Sequence, residues 1–319
     1  MLAVGRNQSL IHLNSSVIQI VDRDVVFLMP AEAAKPAHYV QTHVGERFVE
    51  EVVYDALSAI PAHEREKHLM LDIGAHEGYF GLLSLALGVH AVFVEPQPKC
   101  CKWLEQGIYF NGFQSRAEIV RAAIGRQRGI LTVDGSAAAS CNIQYHISAA
   151  APPATVQNLA INVLPLRAVH GMMRNAIESR GREIALIHVD VEGAECAVLA
   201  GLQDLMRERR VAHLIVEMTP RWWRERSNVS VLECAQLVYR IARHGYRIQS
   251  FFMRDRHFAF STRANGTFNP TLPDAAPIFE YLQRMSNRWI SGAAKNAVSN
   301  LFQEDFHFER IALESFPVA

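Results

Sequence analysis

The chain has 319 residues, 50% of them hydrophobic and 20% charged, with 18 glycines and 13 prolines. Those proportions belong to a packed chain long enough to bury a sizeable core, and they exclude disordered, collagen-like and low-complexity proteins. The 32 basic side chains balance 32 acidic ones, so the basic excess by which proteins grip nucleic acid phosphates is absent.

Residues 1–44 alternate short apolar runs, such as Val17–Val21 and Val25–Pro30, with polar gaps. They are expected to form an N-terminal β segment, a hairpin lid on the main body. From Gly45 the spacing becomes helical: Phe48, Val52, Val53, Leu57 and Ile60 share one face, and Pro61 ends the run. Strands are predicted at Leu69–Ile73, Ala91–Glu95, Glu118–Ile124, Ile184–Val191 and Ala212–Glu217. Helices are predicted between and after them, at 78–87, 98–110, 194–209 and 231–244. Two further strands, Ile248–Phe252 and Phe258–Ser261, follow. Apolar strands alternating with helices make an α/β fold, a mostly parallel sheet with helices on both faces. From about residue 269 the pattern becomes a C-terminal helical tail, in which Ile278, Tyr281, Leu282, Met285 and Trp289 recur at helical spacing as a packing or dimer surface. The expected organisation is therefore a β segment at 1–44, one α/β domain at 45–268 and a helical extension at 269–319.

The five cysteines, Cys100, Cys101, Cys141, Cys196 and Cys234, are scattered. Their spacings fit neither a zinc site nor a disulfide framework, so free thiols in a reducing compartment are expected. The N-terminus lacks the pattern of a secretion signal, and no run of about 18 apolar residues occurs. A cytoplasmic location with no membrane span is the corresponding expectation.

Open parallel sheets bind ligands beyond the carboxyl ends of their strands, and three strand ends here carry unusual chemistry. The first strand leads into Asp72-Ile73-Gly74-Ala75-His76-Glu77-Gly78. Gly74 permits a sharp exit, Gly78 permits close approach of a ligand or the next helix, and the helix start offers amides to an anion. The glycines do not follow the dinucleotide-binding or P-loop spacings. The second strand ends at Glu95, 21 residues after Gly74, where an acid is placed to accept hydrogen bonds from ribose hydroxyls. The fourth ends in His188-Val189-Asp190-Val191-Glu192-Gly193-Ala194-Glu195, more charge than a strand interior can use. Hard-metal ligation there is the competing reading. Gly193 ends the extended run that would align the ligands, so no metal is expected.

Together these segments resemble the FkbM family of S-adenosylmethionine-dependent methyltransferases, from about Gly45 to Ser261. The resemblance rests on LDIGAHEGYFG, VFVEPQP, Asn111-Gly112, AAIG at 122–125, HVDVEGAE followed by VLAGL, and LIVEMTP. It implies a Rossmann-like class I methyltransferase sheet of seven strands, the last antiparallel, and S-adenosylmethionine as cofactor. It also implies that Asp72, Gly74, His76 and Gly78 form the cofactor loop, that Glu95 holds the ribose, and that the 123–126 turn lies near the adenine. Asp190 and Glu192 would face the sulfonium and the acceptor. Arg167 departs from the family, which usually has an aspartate there, and the tail beyond 269 exceeds its core.

Methyl transfer to a hydroxyl is an in-line displacement that gains from positioning and from a base. Asp190 or Glu192 is the candidate base, with His188 and His76 behind them. The same acids could instead bind the cofactor's amino group, Asp190 foremost, or pin the loop. Trp222 and Trp223, set among Arg221, Arg224 and Arg226, are candidates to wall a substrate pocket or to pack a loop. The expected activity is O-methylation of a sugar, glycan or secondary metabolite. A nucleic-acid or protein methyltransferase and a non-catalytic cofactor-binding scaffold are the alternatives.

Overall fold

The structure is a computed structural model that describes residues 9–12, 17–22, 24–32, 44–134, 141, 158–165, 168, 182–251, 267–268, 276, 278–280, 282–283 and 304–310. The strand expected at Phe258–Ser261, Arg167 and the tail residues Tyr281, Met285 and Trp289 lie outside them.

At the N-terminus, β1 (Ser9–His12), β2 (Val17–Asp22) and β3 (Val25–Pro30) form an antiparallel sheet. Period-two alternation in β3 buries Val25, Phe27 and Met29 while Val26 stays exposed. Helix α1 (Val44–Ser58) follows, with Val49, Val53 and Leu57 buried.

The main sheet is built around β4 (His68–Ile73), with β5 (His90–Val94) and β6 (Ala117–Val120) on one side. On the other side lie β10 (Glu183–Val189) and β11 (Val211–Met218), and all five strands are parallel. These strands read as nearly unbroken apolar runs because both faces are covered. Leu69, Leu71, Ile73, Val92 and Val94 pack toward α4 (Glu195–Arg207) and α5 (Val231–Arg243). Met70, Ala91 and Phe93 pack the other way, against α1, α2 (Tyr79–Ala86), α3 (Pro98–Phe110) and Phe27 and Met29 of β3.

Three expectations are corrected. The predicted strand 118–124 is two strands: after β6 the chain leaves the main sheet, and β7 (Ala123–Gly125) joins a small sheet with β8 (Gly129–Asp134) and β9 (Asn158–Pro165). Among the described residues the main sheet has eight strands rather than seven, because β13 (Thr267–Phe268) pairs with the outer edge of β12 (Tyr246–Phe251). Two strands, β13 at the edge and β14 (Glu304–Arg310) inside the sheet, run antiparallel to the rest, and β14 comes from the expected helical tail. It is inserted between β11 and β12, and Phe308 pairs with Leu214 on one side and Ile248 on the other. The sheet thus reaches past residue 268, and Ile278 and Leu282 pack into this chain's own core. Among the described residues, no helix is long and apolar enough to cross a membrane.

The carboxyl ends of β4, β5 and β10 are tied by main-chain bonds. Gly74 donates its amide to the Val94 carbonyl at 2.8 Å, and Asp190 donates its amide to the Ile73 carbonyl at 2.9 Å. Gly74 has φ +84°, and a Cβ there would lie 1.7 Å from the Asp190 carbonyl oxygen. That obstacle is backbone, which no rotamer change relieves. Gly74→Ala is therefore expected to destabilise the fold by roughly 3 kcal/mol or more, measured as a fall in the urea unfolding midpoint; an unchanged midpoint would contradict this account of the turn.

Candidate functional site

The turn after β4 is held in an uncommon backbone path. His76 has φ +52° and Gly78 has φ +87°, and left-handed conformations cost a side-chain-bearing residue about 1 kcal/mol or more. Gly78 starts α2, and a Cβ there would meet Leu104 of α3 at 2.0 Å. Its amide is bonded to the Ala75 carbonyl at 2.7 Å. Both predicted glycines therefore serve close packing of turn, strand and helix, and their amides are spent inside the protein. Asp72 lies beneath them, 1% exposed, with one oxygen 2.9 Å from His188 Nδ1 and the other accepting the Gly81 amide at 3.2 Å. Asp72 is thereby anchored beneath the turn by contacts within the protein. His188, buried against Phe80 with ring centroids 4.7 Å apart, belongs to the same support.

Glu95, directly after β5, is 2% exposed. Its Oε2 accepts the His76 amide at 2.9 Å and its Oε1 accepts the Gln97 amide at 2.7 Å. The bond from His76 joins the two turns into one unit. Burial pushes the Glu95 carboxyl up to about 7, against the opposing pull of the two amides and the Gln97 side chain, and the nearby Asp190 charge raises it further.

The third turn follows β10. Asp190 acts through space on both Glu95 and His76. Its Oδ1 is buried and has no hydrogen-bond partner among the described residues. A carboxylate oxygen kept from water without a donor is costly, so this atom suits a ligand that brings a cation or a proton. Desolvation lowers the pKa of His76, whose Nε2 lies 2.7 Å from the Cys141 carbonyl and whose Nδ1 contacts Glu77. Glu192 is half-buried at φ +50° in the same turn, before Gly193 at φ +104°.

The nearby Glu195 has a different task. It is fully buried, and Oε1 accepts the Gly193 amide and the Thr219 hydroxyl, both at 2.7 Å, while Oε2 accepts the Trp223 indole N–H at 2.6 Å. Burial pushes its carboxyl up. Trp223 is accordingly a core residue, and its expected place in a substrate wall is corrected: an indole with no exposed surface meets no substrate. Trp222 is half-buried, with the Arg221 guanidinium 4.0 Å from its ring centroid.

The structure thus brings His76, Glu95 and Asp190 together, with Glu192 further along the Asp190 turn. Two participants were missed. Gln97 sits two residues past Glu95 in the Glu-Pro-Gln segment, a placement that could have suggested a local amide donor. Cys141 lies in a Ser/Ala-rich stretch with no pattern to mark it. It is disulfide-bonded to Cys100, and Cys196 is bonded to Cys234. The expectation of unpaired thiols is corrected for four of the five cysteines, and with it goes the ground for expecting a reducing compartment. Donor atoms of His76, Cys100 and Cys141 lie within 4.8 Å of one another, but the two sulfurs are bonded together and so are not metal ligands in this form.

Comparison with known proteins finds the family model described as "Methyltransferase FkbM domain" matching residues 72–248, more than half of the chain. No curated protein matches significantly. Similar solved structures include a SAM-dependent methyltransferase from Agrobacterium tumefaciens, 12% identical, covering 76% of this chain and 63% of that one, with a TM-score of 0.40. This chain therefore spans less than two thirds of that protein's length. A putative RNA methyltransferase from Pyrococcus horikoshii is 8% identical, covering 83% of this chain and 84% of that one, with a TM-score of 0.35. Precorrin-6y C5,15-methyltransferase from Geobacter metallireducens is 8% identical, covering 85% and 92%, with a TM-score of 0.35. None of these proteins' acceptors is carried over to this chain.

Glu195→Ala would leave three buried donors without an acceptor. It is expected to lower unfolding stability by roughly 3 kcal/mol in urea denaturation; full stability with lost activity would instead mark Glu195 as a reacting group.

Proposed function

Because the chain belongs to the FkbM methyltransferase family, we propose that it transfers a methyl group from S-adenosylmethionine to a hydroxyl of a sugar, glycan or secondary metabolite. One observation carries the reading: a buried carboxylate, Glu95, bridges the turns after β4 and β5, and the unpartnered Asp190 oxygen lies in its electrostatic field. Bound here, S-adenosylmethionine would supply an electrophilic methyl group on a cationic sulfur.

The chain's residues fit that ligand in separable ways. The two amides and the Gln97 side chain fix the Glu95 carboxylate and leave acceptor capacity for a ribose hydroxyl. His76 sets the neighbouring wall of the turn, held by Glu95, Glu77 and the Cys141 carbonyl. Gly74 and Gly78 shape the turn, and Asp72 fixes it from below. Asp190 complements positive charge and takes the proton from the acceptor hydroxyl as the new bond forms. Glu192 borders the acceptor side, and Trp222 is the aromatic candidate for contact with it. Asp190→Asn is expected to bind S-adenosylhomocysteine nearly as wild type while radiolabelled methyl transfer falls about a hundredfold. Loss of binding together with turnover would assign Asp190 to the cofactor instead.

Glu95 also sets a pH dependence. With its pKa raised to about 7, it is ionised and a full acceptor above that value and becomes protonated below it. Affinity is thus complete on the alkaline side and lost as pH falls. If only the ionised form binds, S-adenosylhomocysteine affinity should be about tenfold weaker at pH 6 than at pH 8. Calorimetric titration checks this, and Glu95→Gln should weaken binding and flatten the profile. Unchanged affinity and an unchanged profile in that variant would remove Glu95 from the ligand site.

A further inference from the structure

The Cys100–Cys141 bond joins two unlike pieces of chain. Cys100 is in the first turn of α3, directly after the Glu95-Pro96-Gln97 segment, and Cys141 sits in a bend outside any helix or strand. The bond fixes their Cα atoms 5.1 Å apart across 41 residues. The Cys141 carbonyl is 2.7 Å from His76 Nε2, and the His76 amide holds Glu95 Oε2 at 2.9 Å. One covalent link therefore continues through one carbonyl and one imidazole into the carboxylate that joins the two turns. His76 also has a left-handed backbone, which persists only while surrounding contacts over-determine it.

We infer that the Cys100–Cys141 disulfide is a reducible strap over the cofactor turn, so that thiol–disulfide exchange at this pair controls the order of the turn and its affinity for the adenosyl ligand. The ligand half rests on the function proposed above; the effect on the turn does not. The other disulfide differs in kind. Both disulfides are buried, but Cys196–Cys234 connects α4 to α5, helices already packed together in the core. Cleaving it loosens a contact between two packed helices, whereas cleaving Cys100–Cys141 releases the residue whose carbonyl meets the His76 ring.

The exchange is a two-electron step with a dithiol as reductant. A thiolate of the dithiol attacks Cys141 Sγ, the Cys100–Cys141 bond breaks, and Cys100 leaves as a thiolate that takes up a proton. The second thiol of the reductant then displaces Cys141, giving an oxidised dithiol and two protein thiols. Cys101 does not compete. It is buried, its thiol donates to the Glu95 carbonyl at 3.3 Å, and burial pushes its pKa up to about 11, so it remains protonated at neutral pH.

The test is amide hydrogen exchange on the full chain, oxidised and after dithiothreitol, with chelator present throughout to exclude metal capture by the freed thiols. Exchange in the peptide spanning 74–80 should accelerate about tenfold on reduction of wild type. Cys141→Ser should show that acceleration without reductant, and Cys234→Ser should not. Reduction of the unmutated chain serves as the second route should Cys141→Ser fold poorly. Equal protection in both redox states, or peptide mapping that finds Cys100 and Cys141 as free thiols after oxidation, overturns the strap. In parallel, S-adenosylhomocysteine should bind about tenfold more weakly to the reduced protein, the scale of one lost hydrogen bond. Equal affinity in both states overturns the coupling to ligand. Absence of binding in both states overturns the proposed function, while the exchange result still decides the strap's effect on the turn.

Discussion

A carboxylate shut away from water is the constraint on which the site depends. Glu95 loses hydration by its position at the end of a doubly covered strand, and two amide donors offset only part of that loss. One of those donors belongs to the neighbouring turn, so the need to satisfy Glu95 dictates where His76 sits. The turn can reach it because Gly74 allows the backbone to pass close to the Asp190 carbonyl. Three strand ends are thereby held in one arrangement by contacts within a few residues of each other.

The acidic segment after β10 shows how position, rather than residue type, assigns roles. Asp190 and Glu195 are five residues apart in the sequence. Glu195 has three donors converging on it and acts as a buried joint between the turn, Thr219 and Trp223. Asp190 has a bare oxygen and two titratable neighbours. The first arrangement is complete within the protein, and the second is not. A buried acceptor left incomplete beside other site residues is where a ligand can supply the missing donor.

Much of this was legible beforehand. The β4, β5, β10 and β11 runs announce a parallel sheet because burial on both faces demands continuous apolar sequence, and the glycine turn and Glu95 mark strand ends through spacing alone. Other features needed three dimensions. Nothing in the sequence distinguishes Trp222 from Trp223; only the partner at Glu195 decides which goes inside. The role of Cys141 depends on contacts across 41 and 65 residues, which no local pattern records. β14 did leave a signal, since Phe306 and Phe308 alternate with polar neighbours, but helical spacing earlier in the tail masked it.

That last strand has a consequence for how the molecule is made. β14 sits inside the sheet, hydrogen-bonded to both β11 and β12, although it is synthesised long after either. Until residues 304–310 leave the ribosome, the nascent chain carries two facing strand edges with open amides and carbonyls, the kind of surface that recruits stray strands. Completion of the sheet is therefore a late, long-range closure. A chaperone that shields the gap between β11 and β12 would act at the stage where this fold is most exposed to aggregation.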